Sequence, residues 1–169
     1  MDKKCEDIDP VNKVNDLCTL LTGIEYEIHR HDEYEYSYLN EDSICITVIN
    51  PYTGQKMYID LEEEFTITFG AYHEHYTPDF YEYELLVEFI KQILNNEICV
   101  ATLYCGIDRK WMGSTTCSID EIQSMSVKQI FSYIYKTREF KDELIANGGT
   151  AEFIFWNPQY NVIRKAFAG

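Results

Sequence analysis

Two histidine pairs have the spacing that could most directly support chemistry. His29 and His31 have one residue between them, and so do His73 and His75. Side chains at i and i+2 of a strand point to the same side, so each pair could present two imidazoles to one metal ion. Four such ligands would form a zinc site and would suit a metal-dependent hydrolase. Arg30 weighs against metal at the first pair, and the other interpretation is that the second pair bonds to backbone carbonyls and anchors a loop.

No other motif of the sequence predicts a catalytic centre. No serine lies in a G-x-S-x-G elbow, and the glycines match neither the dinucleotide fingerprint nor the phosphate-binding P-loop. The six cysteines form no C-x-x-C pair and no zinc-ribbon spacing, which favours reduced and mostly buried thiols. Cys99 and Cys105 share one face of a predicted core strand. We therefore expect a binding protein rather than an enzyme, with no cofactor unless the four histidines bind zinc.

The second histidine pair lies between two strongly predicted elements. Large apolar side chains alternate with threonines from Phe65 to Phe69, which is the period of a half-buried strand, and Gly70 ends that pattern. Thr77 is a good helix cap and is followed by Pro-Asp, so a helix is predicted over residues 78–95. The sequence thus predicts a loop over residues 70–77 that a core strand and a core helix hold at both ends.

Hydrophobic periodicity along the whole chain predicts an α+β fold. We expect an antiparallel twisted sheet meander with about three helices packed on it, in a single globular domain over residues 1–169 whose residues 1–7 are a polar tail. Ser124 or Ser126 is expected to cap the third helix, which places Ile145 on its inner face. The predicted helices cover residues 8–22, 78–95 and 126–147, and the predicted strands cover residues 24–31, 34–39, 44–49, 55–61, 65–69, 98–104, 110–117, 151–156 and 160–167.

The charge of the chain is strongly acidic and unevenly distributed. The net charge is −15, and residues 1–97 hold 22 Asp and Glu against 6 Lys and Arg, whereas residues 98–169 hold 7 against 8. A concentrated negative field disfavours nucleic acid and anionic membranes as partners and favours a cationic protein. No apolar run is long enough to span a membrane and no signal segment is recognisable, so we expect a cytoplasmic protein.

Tyrosines interleaved with carboxylates suggest where a cationic partner would bind. Tyrosine offers a large contact area at low entropic cost and stacks on arginine, while a neighbouring carboxylate accepts bonds from the same guanidinium. The alternatives are that half of the tyrosines are core residues, that the acidic runs are only solubilising surface, or that the protein mimics DNA. The predicted contact residues are Glu25, Glu27, Tyr34, Glu35, Tyr36, Glu62, Glu63, Glu64, Glu74, Tyr81 and Glu82.

Part of the chain resembles a known class of proteins. The features concerned are the run from Phe65 to Gly70, the second histidine pair followed by Tyr76, a long helix, a strand over residues 98–104 and the segment from Lys110 to Ser114. In this order they are similar to small immunity-type proteins of bacterial polymorphic toxin systems. The resemblance covers about residues 62–117. It implies a cytosolic α+β protein that binds and neutralises a toxin domain, often a nuclease, and has no activity of its own.

Overall fold

The computed structural model describes residues 9–166 and has the expected α+β architecture. Two antiparallel sheets, one of five strands and one of four, are accompanied by short and long helices. The chain divides into two compact units, one up to Lys91 and one from Gln92. The polar tail predicted at residues 1–7 lies outside the described residues, and the single domain stays a prediction. Among residues 9–166, no helix has the length and apolar character needed to cross a membrane.

The first unit is built on a five-stranded meander in which each strand pairs with its neighbour in the chain. The strand order is β1-β2-β3-β4-β5, antiparallel throughout, which confirms the predicted sheet meander. One helix precedes the meander and another begins after it. The elements are α1 (Pro10–Leu20), β1 (Tyr26–His29), a 3₁₀ helix η1 (Tyr34–Tyr36), β2 (Ile44–Ile49), β3 (Lys56–Leu61), β4 (Phe65–Phe69), β5 (Tyr72–Tyr76) and α2 (Phe80–Leu94).

Alternation along the strands decides which face of this sheet is buried. Phe65 pairs with Leu61, and Ile67 pairs with Ile59, so the large apolar side chains of adjacent strands lie side by side on one face. These residues are almost completely inaccessible to solvent. The inner face consists of Ile44, Ile46, Val48, Met57, Ile59, Leu61, Phe65, Ile67 and Phe69. The other face of the same strands carries polar residues, and the strand register places His29 on this face at one edge and His73 and His75 on it at the opposite edge.

The prediction of a strand over residues 34–39 is wrong. Residues Tyr34–Tyr36 form the 3₁₀ helix η1, with Tyr36 N–H donating to the Glu33 carbonyl at 2.9 Å. Leu39 N–H then donates to the Tyr36 carbonyl at 3.0 Å. Tyr36 is turned inward while Tyr34 and Tyr38 stay exposed, so successive tight turns produce the same alternation of side chains as a strand.

The loop predicted over residues 70–77 is also wrong. Residues Tyr72–Tyr76 form β5, which pairs with β4 through a two-residue connection, Gly70 and Ala71. Gly70 has φ 61°, the positive value that type II′ hairpin turns need at their first central position. Helix α2 begins at Phe80 rather than at residue 78, because the Asp79 carboxylate accepts the Glu82 N–H at 2.9 Å and takes the capping role predicted for Thr77.

The second unit holds a four-stranded sheet of order β7-β6-β8-β9. One face of this sheet and the short helices bury a single apolar cluster that includes Cys99, Cys105 and Phe131, which confirms the two cysteines as core residues. Ile145 is 59% exposed, so its predicted inward position is wrong. The elements are β6 (Ile98–Cys105), β7 (Lys110–Ser118), α3 (Ile119–Ser124), α4 (Val127–Ile130), α5 (Ser132–Lys136), α6 (Arg138–Asn147), β8 (Gly149–Ile154), a 3₁₀ helix η2 (Pro158–Tyr160) and β9 (Val162–Lys165).

Three short helices, α4 to α6, replace the single helix predicted over residues 126–147, and α3 precedes them. Ser126 caps α4 as expected, through a capping box with Gln129, and Ser118 caps α3 in the same way with Glu121. Within that range the backbone leaves the helical region at Phe131 (φ −97°, ψ 34°) and again at Thr137 (φ −82°, ψ 113°). These two residues interrupt a hydrophobic pattern that is periodic enough to suggest one continuous helix.

Candidate protein-binding surface

The connections between the strands of the meander lie at two opposite ends of the five-stranded sheet. Strands of an antiparallel meander alternate in direction, so the connections over residues 30–43, 62–64 and 77–79 leave from one end, and those over residues 50–55 and 70–71 leave from the other. We call the first set, together with the first turn of α2 as far as Glu82, the acidic end. We call the second set the neutral end.

The two ends differ completely in charge. The acidic end carries ten carboxylates against one arginine, Arg30, whereas the neutral end carries no charged residue. This grouping arises from chain direction and is not visible in the linear charge distribution. The carboxylates of the acidic end are those of Asp32, Glu33, Glu35, Glu41, Asp42, Glu62, Glu63, Glu64, Asp79 and Glu82.

Seven of the eleven predicted contact residues belong to the acidic end and are at least partly accessible. They are Tyr34, Glu35, Glu62, Glu63, Glu64, Tyr81 and Glu82. Three others lie elsewhere on the sheet. Glu25 precedes β1 close to the neutral end, where its carbonyl accepts the Ile49 N–H at 2.9 Å. Glu27 is on the edge strand β1 within 3.9 Å of Lys56 Nζ, and Glu74 is in the middle of β5, where its carboxylate accepts the hydroxyl of Tyr72.

Tyr36 is the predicted contact residue that the structure removes from the surface. Only 8% of it is exposed, and its ring stacks on that of His29 with centroids 3.9 Å apart. Its hydroxyl lies 3.2 Å from Thr47 Oγ1, and Leu39 and Cys45 complete this small cluster on the outer face of the sheet. Tyr36 therefore fixes the connection over residues 30–43 to the sheet instead of facing a partner.

Exposed aromatic side chains accompany the carboxylates of the acidic end. Tyr34 is 95% exposed, and Tyr81 is mostly exposed as predicted. The sequence interpretation missed Tyr38 and Phe80, which are exposed to a similar degree. Tyr38 donates from its hydroxyl to Asp60 Oδ1 at 3.3 Å, which positions its ring beside the acidic connections. The place of Phe80 directly after the helix cap could have indicated it, because side chains in a first helical turn are often solvent-accessible.

A hydrogen-bonded turn holds the start of the long connection over residues 30–43. His29 Nδ1 lies 2.7 Å from Glu33 Oε2, and the other carboxylate oxygen of Glu33 accepts the Arg30 N–H at 3.1 Å. The bond from His29 lowers the pKa of the Glu33 carboxyl, and the Arg30 N–H acts in the same direction. Glu33 therefore stays ionised and keeps the turn closed at neutral pH.

Glu62 is in a contrasting position at the same end. Its Oε1 atom is inaccessible to solvent and has no hydrogen-bond partner among the described residues. Burial raises the pKa of this carboxyl, and the negative charges of Asp60 and Glu63 raise it further. A positively charged group bound beside this half-buried carboxylate would offset the repulsion from its acidic neighbours.

The two histidine pairs are not brought together. His29 and His31 lie at or just after β1, while His73 and His75 lie on β5, at the opposite edge of the sheet. Four strand-to-strand steps separate these edges, about 19 Å at the usual spacing. Four imidazoles at that separation cannot share one metal ion, and no group of three or more potential ligands is found in residues 9–166.

The second pair also does not anchor a loop through backbone carbonyls. His73 and His75 are exposed on β5 with ring centroids 5.2 Å apart. His75 Nδ1 lies 3.1 Å from Thr66 Oγ1 and 3.2 Å from Glu64 Oε2, so its contacts are with side chains of the neighbouring strand and turn. These contacts link β5 to the run of three glutamates at the acidic end.

Comparison of the chain with protein-family models, with curated proteins and with solved structures found no match.

Proposed function

We propose that the acidic end binds a Lys- and Arg-rich surface of another protein, and that this partner is a bacterial toxin domain that the protein neutralises in the cytoplasm without an activity of its own. The observation that carries the proposal is the segregation of charge between the two sets of connections: those of the acidic end, with the first turn of α2, hold ten carboxylates and one arginine, and those over residues 50–55 and 70–71 hold no charged residue. Such a one-sided field accelerates and orients encounter with a cationic surface.

Glu62 is the best candidate for a contact of high energy within this surface. Its unpartnered, inaccessible oxygen is already desolvated in the free protein, so binding a partner adds little further desolvation at this atom. A guanidinium or ammonium group at the accessible side of this half-buried carboxylate would then gain a charge-assisted hydrogen bond. The exposed carboxylates of Glu63 and Glu64 would contribute mainly to the rate of association, because contacts on a solvated rim contribute little affinity.

The exposed tyrosines supply the apolar part of the same surface. Tyr34 and Tyr81 present rings that stack well on arginine side chains, and Tyr38 is held in place by its bond to Asp60. Aromatic anchors at the centre with a polar rim around them are typical of protein interfaces. The resemblance of residues 62–117 to immunity-type proteins is the reason for naming a toxin domain as the partner.

A capture experiment with two charge-matched variants tests the proposal. The protein is used as bait in a lysate of its native cell, in three forms: unchanged, with E62Q, E63Q and E64Q, and with E84Q, E97Q and E139Q. The three control positions are exposed and lie outside the acidic end, and both variants lose the same net charge. We expect the unchanged protein and the control to capture one basic protein that the E62Q/E63Q/E64Q variant does not.

A second step identifies the captured protein as a toxin. Its gene is expressed in a heterologous host with and without each of the three forms. We expect growth arrest by the partner alone, rescue by the unchanged protein and by the control, and no rescue by the E62Q/E63Q/E64Q variant. Equal capture by all three forms would show that the acidic end is only solubilising surface, and capture without toxicity would remove the toxin assignment while leaving the cationic partner.

A further inference from the structure

Two thiols face each other in the core of the second unit. Cys99 of β6 and Cys117 of β7 are directly opposite partners in the antiparallel ladder, and their Sγ atoms are 3.6 Å apart. The other cysteines of this unit and of the first sheet have different neighbours: Cys105 Sγ donates to the Glu143 carbonyl at 3.6 Å, and Cys45 Sγ lies 3.9 Å from Thr47 Oγ1. The contact between Cys99 and Cys117 thus follows from strand register.

The position of the pair matches the backbone requirements of a disulfide. Opposite residues of an antiparallel ladder have Cα atoms about 4.5 to 5.5 Å apart, and disulfides span about 4.4 to 6.8 Å between Cα atoms. Both side chains point into the same apolar cluster, beside Ile122 and Val127. Closing the gap between the sulfur atoms to the bonded distance of about 2.05 Å requires rotation of the side chains and no change of register.

We propose that Cys99 and Cys117 are an oxidative modification site that forms a reversible disulfide when the chain folds in the presence of a low-molecular-weight disulfide such as oxidised glutathione. One cysteine first exchanges with glutathione disulfide, which releases one glutathione thiol, and the second cysteine then displaces the other glutathione. Overall, two S–H bonds of the protein are replaced by one S–S bond. The two electrons and two protons end up on two molecules of reduced glutathione.

The environment of the pair dictates when this reaction is fast. Cys99 is 1% exposed and Cys117 is 4% exposed, and the pKa of Cys99 is raised by its contact with Cys117 and by burial. The thiolate that starts exchange is therefore rare in the folded protein, and glutathione has little access to it. β7 is an edge strand of its sheet, so both thiols become reachable when β7 is unpaired, during folding or opening of that edge.

The disulfide would tie the edge strand to the centre of its sheet. It would close the segment from Cys99 to Cys117 next to Ser118, which caps α3. A cross-link there limits the freedom of the unfolded chain and holds β7 against β6. Oxidation is therefore expected to raise the melting temperature and to slow exchange of the amide hydrogens of β7, and both changes should disappear on reduction.

Refolding with mapping of the cysteines tests the proposal. The full chain is reduced and unfolded in urea, diluted into a buffer of reduced and oxidised glutathione, quenched in acid, alkylated and analysed by peptide mass spectrometry. We expect two of the six thiols to be protected from alkylation and the linked peptides to contain Cys99 and Cys117. The C105S variant, which changes a thiol of the same core, should give the same linkage, whereas C117S should give none.

The unchanged chain provides the decisive result even if C117S folds poorly. A native circular dichroism spectrum with Cys99 and Cys117 both alkylated would overturn the proposal, and so would linkages distributed over all the cysteines. A melting temperature several degrees higher in the oxidised than in the reduced unchanged protein, with no such difference for C117S, would support it. An equal difference in C117S would assign the effect to another pair and reject this one.

Discussion

The acidic and neutral ends of the five-stranded sheet belong to the same strands but are built in different ways. The neutral end has short connections whose turn residues define the path: Asn50 is 2% exposed, and its side-chain oxygen accepts the Tyr52 N–H at 2.9 Å and the Thr53 N–H at 3.3 Å. The acidic end includes a connection of fourteen residues, over 30–43, and carries ten carboxylates. The comparison suggests that one end specifies the register of the strands, while the other is free to bear a binding surface.

The largest expected effect is on the free energy of unfolding, and it should differ between two tyrosines of the acidic end, Tyr34 and Tyr36. Y36A should reduce the free energy of unfolding by about 3 kcal/mol, because a buried aromatic side chain is removed together with its contacts to His29 and Thr47. Y34A should change that free energy by less than about 0.5 kcal/mol, because its ring is exposed. Urea denaturation measures both, and similar losses for the two variants would contradict the assignment of Tyr36 to the core.

The next largest effect on stability is expected at the neutral end. N50A should destabilise the protein by about 2 kcal/mol, because the N–H groups of Tyr52 and Thr53 lose their acceptor and the side chain they bond to is buried. N50D is the matched control, since it keeps an oxygen in the same place and should cost clearly less. Urea denaturation under the same conditions gives the values. If N50D and N50A are equally destabilised, the hydrogen bonds of this turn are not the cause.

The third prediction addresses binding at the acidic end once the partner is known. The association rate constant should fall roughly tenfold as the Debye length shrinks from about 30 Å at 0.01 M salt to about 10 Å at 0.1 M. E35Q combined with E63Q should lower the rate at low salt, whereas E84Q combined with E97Q, outside the acidic end, should lower it much less. Stopped-flow measurements at several salt concentrations give these rate constants. Equal decreases for the two double variants would argue against electrostatic steering by the acidic end.

The smallest expected effects are on the pH dependence of stability, and they come from Glu33 and Glu62, whose pKa values are shifted in opposite directions. The pKa of Glu33 is lowered by His29, so the stability it contributes is present above the pKa of the unfolded chain and is lost as pH falls through the folded value. The pKa of Glu62 is raised by burial, so the folded state favours its protonated form, and stability is lost as pH rises through the folded value. E33Q should therefore lower the urea midpoint at pH 7, and E62Q should raise it.

The same two variants connect stability with binding. E62Q should be more stable than the unchanged protein at pH 7 and yet bind the cationic partner more weakly, because the desolvated carboxylate is the group that the partner would neutralise. Urea midpoints at pH 3, 5 and 7 give the stability, and titration with the partner gives the affinity. A midpoint for E62Q below that of the unchanged protein at pH 7 would mean that Glu62 has a stabilising contact in solution.

Sequence patterns correctly predicted the elements whose conformation is determined by residues close together in the chain. The alternation from Phe65 to Phe69 and the capping serine at position 126 each carry their own signal, and both are found where expected. The strand assigned to residues 34–39 failed because tight turns with an inward Tyr36 and outward neighbours imitate a two-residue period. The β5 strand was missed because its polar composition resembles a loop until pairing with β4 is known.

The candidate surface was only partly predictable for a related reason. Tyr34, Tyr81 and the three glutamates from Glu62 to Glu64 could be chosen from composition, but their gathering at one end depends on the direction in which each strand runs. The burial of Tyr36 depends on its contact with Thr47 of β2, and one oxygen of Glu62 is buried although the residue lies in an acidic run. No pattern within the local sequence contains that information, so these two corrections required the tertiary structure.

The neighbour-to-neighbour pairing of the meander also bears on how the chain acquires its fold. Every ladder of the five-stranded sheet joins strands that are consecutive in the chain, so the entropy cost of loop closure is small and folding is expected to be fast. The β6–β8 ladder, by contrast, bridges the whole segment from β7 to α6. During synthesis from the N-terminus, the meander would form while the second sheet still awaits its later strands, so the acidic end would be assembled early in the life of the polypeptide.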